Sequence, residues 1–235
     1  MYLISQNNFK SIFKNKYWDF LKEIYAFFLF CNIKMTDFTT FFLVLICITI
    51  FYVYLENKAS DVTYINVDQI EYLVRNLPDK EEAALLLSKI RSNCSKIVES
   101  LFREMNNDKK KFDEETIKGI KRLKKNFKPN NISESSPGNA YTSYSINKGE
   151  KIVFCLRQKG GVDANELVDI NTMMFVAIHE LAHLMSKSIG HTTEFWDNMR
   201  FLLKKGIEIK VYKHIDYSKF PEDYCGIKIT DTPLT

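Results

Sequence analysis

The chain has 235 residues, 46% of them hydrophobic and 14% aromatic, with eight glycines and a formal charge of +4. That composition excludes a disordered polyelectrolyte and a Gly-rich fibre, and suits a helix-rich protein with one globular domain and an appendage. The charge is too mild to name a polyanionic partner.

Residues 1–37 mix Lys10, Lys14, Lys16, Lys22 and Lys34 with Phe13, Tyr17, Phe20, Leu21, Ile24 and Phe28 at near-helical spacing. This N-terminal extension reads equally as an interfacial helix or as sequence ahead of a second start at Met35. From Phe38 to Leu55 there is no charge. At ~1.5 Å per residue that run is about 27 Å long, close to a bilayer core, and it is apolar on every side. It reads as a transmembrane helix over 38–55, and no small-residue cleavage site follows it. Lysines cluster before the span, whereas Lys58 is the sole basic residue from Glu56 to Tyr72. The bias places the N-terminus in the cytosol and the remainder in a lumen or outside, as a single-pass protein of an internal or surface membrane. On that side Asn93-Cys94-Ser95 and Asn131-Ile132-Ser133 are glycosylation acceptors if accessible.

Residues 56–69 read as a polar linker, followed by a short strand at Glu71–Arg75 and a long helix with Pro78 in its first turn. In that helix Ala83, Leu87, Ile90, Cys94, Ile97, Leu101 and Met105 repeat at three and four, an inward stripe. Asp113-Glu114-Glu115 opens a second helix with Ile117, Ile120 and Leu123 inside. Around it, Lys118, Lys121, Arg122, Lys124 and Lys125 join Lys109–Lys111 in a basic patch. A solvated helix face is the favoured meaning of that patch, ahead of nucleic acid. Asn130–Ala140 reads as a loop. Tyr141–Ile146 and Lys151–Leu156, separated by Asn147-Lys148-Gly149-Glu150, read as a hairpin.

The stretch Val176–Met185 contains His179-Glu180-Leu181-Ala182-His183, an HExxH pattern inside an apolar helical run. Asp169, Asn171 and Thr172 supply a start signal, and Met174, Ile178, Leu181 and Met185 give a core face. Two histidines four apart lie one turn apart and about 40° round the helix, so both imidazoles reach one metal ion. Glu180, a step further round, is suited to take a proton from an attacking water and pass it to a leaving amine. The chemistry indicated is peptide-bond hydrolysis with one Zn2+.

A catalytic zinc usually takes three protein ligands. The chain has four histidines, which leaves His191 and His214 as candidates, with Glu194 and Asp197 open. His191 is better placed: Gly190 can end the first helix, and Thr192 or Thr193 can cap a second through about Leu203, with Phe195, Met199, Leu202 and Leu203 on its apolar face. The metzincin spacing is absent, because Ser186 and Ile189 stand where Gly and His would be required. The tail from Ile207 is irregular, with a strand at Gly226–Ile229 and Tyr224 as a hydrogen-bond donor that could reach the site. Five cysteines include no CxxC, which excludes a zinc ribbon and leaves a disulfide among Cys94, Cys155 and Cys225 open.

His-Glu-Leu-Ala-His, a short polar spacer, Gly-His and then Glu-Phe-Trp resemble the WLM and SprT-like group of small HExxH metallopeptidases. The resemblance extends to membrane-anchored WLM-like metallopeptidases of large DNA viruses. It is carried further by Glu71–Asp79, Tyr141–Leu156 and Tyr224–Asp231. It implies a zincin-like α+β domain over 70–235, one zinc held by His179, His183 and His191, and Glu180 as general base. Many WLM proteins space the third histidine about six residues after the second; here His191 follows His183 by eight. In zincins a sheet edge beside the zinc helix pairs with extended substrate, and the 141–156 hairpin is the candidate edge.

The expected partners are a bilayer and protein or peptide substrates close to it, because a linker of about a dozen residues reaches at most ~40 Å. Two other classes remain: a non-catalytic membrane-anchored zinc or nucleic-acid module, and, from the resemblance, a protease of DNA–protein crosslinks.

Overall fold

The computed structural model describes residues 38–58, 61–136, 142–160 and 165–234. The expected N-terminal extension, 1–37, lies outside them. The chain divides into two compact units, residues 1–59 and 60–235.

In the first unit, α1 (Phe38–Lys58) occupies the apolar run. The Thr49 hydroxyl donates to the carbonyls of Leu45 and Ile46, at 2.9 and 2.8 Å, so this mid-helix hydroxyl is satisfied locally. The helix is as expected, but the spanning assignment is not carried by the structure. Among the described residues no helix is long and apolar enough to cross a membrane.

The second unit begins earlier than the sequence suggests. Residues expected as linker form β1 (Val62–Val67), paired antiparallel with β2 (Ile70–Arg75). Its turn carries positive φ at Asp68 and Gln69, 51° and 64°. A two-residue turn of this kind usually announces itself with Asn or Gly, and their absence hides the hairpin in the sequence.

The long helix is α2 (Lys80–Asn107), starting two residues after Pro78. Every residue of its expected inward stripe is buried. Burying a side chain such as Leu87, Ile90 or Ile97 contributes roughly 1.5–3 kcal/mol each. A 3-10 turn, Lys109–Lys111, leads to α3 (Glu114–Asn126). Asp113 caps α3 by accepting from the Thr116 N–H at 2.9 Å. Part of the basic patch around α3 is paired within the protein. Lys118 pairs with Glu114 and Glu115, Lys124 with Glu99, and Lys111 with Glu104, so a polyanion would have to compete with these partners.

A three-stranded sheet follows in the order β3-β5-β4. β3 (Ile132–Glu134) runs parallel to β5 (Lys151–Phe154) and lies inside the stretch expected as a loop. Three buried residues between Asn131 and Ser135 are too short a run to declare a strand by pattern. β4 (Tyr144–Ile146) pairs antiparallel with β5, as the expected hairpin, and forms the sheet's outer edge. Helices α4 (Ile170–Met185) and α5 (Thr193–Glu208) pack on α2, and α4 also on α3. A last hairpin, β6 (Glu222–Tyr224) and β7 (Ile227–Ile229), turns through Cys225 and Gly226 with φ of 51° and 83°. Cys225 is joined by a disulfide to Cys155, just past β5. The unit is therefore α+β, with helices and small sheets around one core.

Candidate metal centre

α4 is built to hold two histidines still. Asp169 caps it by accepting from the N–H groups of Asn171 and Thr172, the nearest bond at 2.7 Å. Met174, Ile178, Leu181 and Met185 are all buried, and so are most residues on the other faces. From Thr172 to Met185 only His179 and His183 are not fully buried. The helix ends at Met185, with Ser186 as C-cap, four residues ahead of Gly190. Gly190 instead serves the connecting turn, at φ 82°.

The carbonyls at the end of α4 are satisfied by distant side chains. The Asn126 amide donates to Leu184 O at 3.1 Å and Arg122 Nε to Met185 O at 2.8 Å. Lys148, from the β4–β5 turn, donates to Ser186 O and Ser188 O at 3.0 and 2.7 Å. Two cations thus sit at the negative end of the helix dipole.

The turn that follows presents His191. Thr192 caps α5, while the Glu194 carboxylate accepts from the N–H groups of Lys187 and Ser188 and from the Ser188 hydroxyl, at 2.7–3.0 Å. Arg122 bridges to the same carboxylate at 3.1 Å. His191 Nε2 lies 3.1 Å from His179 Nε2, which lies 3.2 Å from His183 Nε2. Three ring nitrogens gathered so closely are the arrangement that a metal ion resolves, and a three-imidazole set fits zinc. Among the described residues this is the group of histidine, cysteine and carboxylate ligands able to hold an ion. Burial, then the charges of His183 and His191, pushes His179 down to about 3. Burial, then His191 and Lys148, pushes His183 down to about 4. Both are neutral at physiological pH, the form that binds metal.

The other ligand candidates are occupied elsewhere. Glu194 braces the turn, and Asp197 pairs with Arg200 at 2.8 Å. His214 follows Lys213, whose backbone exchanges two hydrogen bonds with the Asn171 side chain. Asn171 is in the first turn of α4, about 12 Å along the axis from His179.

Glu180 is 3% exposed and its Oε2 has no hydrogen-bond partner. Burial pushes its carboxyl up to about 7. Nearby, the Tyr224 hydroxyl and Ser143 Oγ are 2.5 Å apart, and Ser143 Oγ also accepts from the Cys155 N–H at 3.0 Å. Burial lifts the Tyr224 phenol above its ordinary range, the Ser143 bond opposes this, and the Glu180 charge adds to it. A cleft of about 650 Å³ opens over the three histidines and Glu180, with Ser143, Tyr144 and Ser145 of the β4 edge along one side. Ser143, Arg122, Asn126 and Lys148 carry no local signal of a role here, because each acts across at least 38 residues or as one of many surface-type polar groups.

A WLM domain model matches residues 63–222, more than half of the chain. The chain belongs to the WLM family. The chain is also 37% identical over 196 residues to the uncharacterised protein R325 of Acanthamoeba polyphaga mimivirus, covering 81% of this chain and 94% of that one. It is 34% identical over 83 residues to uncharacterised protein 136R of Invertebrate iridescent virus 6, covering 35% of this chain and 44% of that one. A third relative is 042R of Invertebrate iridescent virus 3, at 36% over 86 residues, 36% of this chain and 50% of that one. No solved structure matches. The WLM family is associated with zinc-dependent peptidase chemistry, and the matched range includes His179, Glu180, His183 and His191 of this chain.

Proposed function

We propose that the protein is a zinc-dependent peptidase in which His179, His183 and His191 hold the ion and Glu180 is the general base. The observation that carries this reading is the convergence of three imidazoles beside a buried carboxylate, one oxygen of which has no hydrogen-bond partner, at the floor of an open cleft. Zinc bound there supplies Lewis acidity toward a substrate carbonyl and water. Glu180 takes the proton of the attacking water and returns it to the leaving amine, and its raised pKa suits both halves of that transfer. The free edge of β4 pairs with extended substrate backbone and holds the scissile bond over the histidines. A purely structural zinc would be closed by a fourth protein ligand, and the described residues supply three.

The apolar run at 38–55 supports attachment to a bilayer, with the domain on the non-cytosolic side; the Cys155–Cys225 disulfide suits an oxidising compartment. Substrates are then proteins held near that membrane. The test is expression of wild type and Glu180→Gln in matching membranes, with new protein N-termini compared by mass spectrometry. Wild-type-specific termini are expected, with zinc content equal in both and turnover lower by roughly 100-fold or more in the variant. Identical termini from folded, zinc-loaded samples would sink the peptidase reading.

A further inference from the structure

A second cavity, of about 310 Å³, lies against His179 and is lined by α4, α5 and the tail, with no β4 residue. Its lining includes Phe175, Trp196, Met199 and Pro233. Phe175 stands one helical turn before His179, and Met199 is buried on α5. Trp196 is 41% exposed, unusual for so large an apolar ring, and its indole lies 5.6 Å from the His191 ring. The outer wall is the tail, drawn in where Arg200 Nε donates to Pro233 O at 2.8 Å.

His179 lines both this cavity and the cleft over the histidines. A peptide whose carbonyl rests at the three histidines therefore has a neighbouring side chain within reach of the cavity. Of the charged groups along it, Arg200 is paired with Asp197 and the tail carbonyl, and the Asp231 carboxylate accepts from the Thr232 N–H at 2.7 Å. Phe175, Trp196, Met199 and Pro233 give the cavity an aromatic and thioether surface, which gains most from burying an apolar group.

We propose that the cavity between Phe175, Trp196, Met199 and Pro233 is the specificity pocket of the site, receiving a large apolar or aromatic side chain next to the bond to be cut. The assignment rests on the peptidase reading for its purpose, but its binding test does not depend on turnover. Calorimetric titration would use the full chain in detergent, zinc-loaded and carrying Glu180→Gln. The probes are alanine-rich decapeptides with a single Phe, Leu, Lys or Asp, and one with none. The Phe and Leu peptides should bind at least about tenfold tighter than the others, roughly 1.4 kcal/mol. That preference should disappear on adding Trp196→Ala and return with Trp196→Phe. Trp196 is partly exposed, so the variants should melt like their parent. Equal affinity for all five probes, with no measurable binding counted as equality, overturns the pocket, and so does a preference that survives Trp196→Ala. The two failures are separable. Cleavage without apolar preference removes the pocket and leaves the peptidase, whereas a Trp196-dependent preference without cleavage does the reverse.

Discussion

At the residue scale, metal affinity should divide the histidines sharply. His183 has its Nε2 at 3.2 Å from that of His179, whereas His214 is exposed and tied through Lys213 to the far end of α4. Zinc measured after dialysis should fall to near zero in His183→Ala and stay at one per chain in His214→Ala. Zinc loss in the second variant would show that the ligand set is misassigned. The buried glutamate and the helix histidines are legible from spacing alone, because 3.6 residues per turn fixes where i and i+4 point. His191 is legible only as the better of two, since nothing local says which way a turn folds back.

At the element scale, the site depends on how α4 ends. Glu194 collects three donors of the 187–188 turn along with Arg122. Removing such an outer support typically costs 10–100-fold in metal affinity. Glu194→Ala should therefore weaken zinc binding by about that factor in a chelator competition, with His179 and His183 intact. Unchanged affinity would mean that the turn is held by Thr192 and packing alone. The hairpin that brings Lys148 to α4 turns on Gly149, at φ 103°. A Cβ there would lie 2.5 Å from Asn126 O and 2.8 Å from Leu184 Cδ2. Gly149→Ala should destabilise the domain by about 1–3 kcal/mol, read as a lowered midpoint in denaturant. A midpoint equal to wild type would place the hairpin differently against α4.

At the scale of the whole molecule, buried charge links distant helices. Lys205 of α5, 4% exposed, bonds Glu104 of α2, which also accepts from Lys111. Burial raises the Glu104 carboxyl, but these lysine bonds outweigh it and bring it from 4.5 down to about 2. A depressed carboxylate contributes stability that is fully present above its unfolded value and is lost as pH falls through its folded one. The contribution should thus fade between pH 4.5 and about 2. Thermal melts of Glu104→Gln should lie below wild type at pH 7 and converge with it across that window; parallel curves would refute the linkage. A second buried group, Arg157, bonds Glu134 at 2.8 Å and Asp79 at 2.5 Å, joining β3 and the start of α2 to the strand end.

The sequence by itself determined the helices and the HExxH spacing on α4. The stripe from Ala83 to Met105 and the caps at Asp113, Asp169 and Thr192 are local, repeating or adjacent signals. A side chain's period or its bond to the next turn is set within a few residues. Tertiary structure decided what depends on partners far along the chain. β1 and β3 exist through pairing and carry no turn signature, and α4 stops at Met185 where Asn126, Arg122 and Lys148 satisfy its carbonyls. Likewise Cys155 finds Cys225 across 70 residues, and His191 rather than His214 meets the helix histidines. Each of these choices is made by a contact between segments whose spacing in sequence carries no trace of their distance in space.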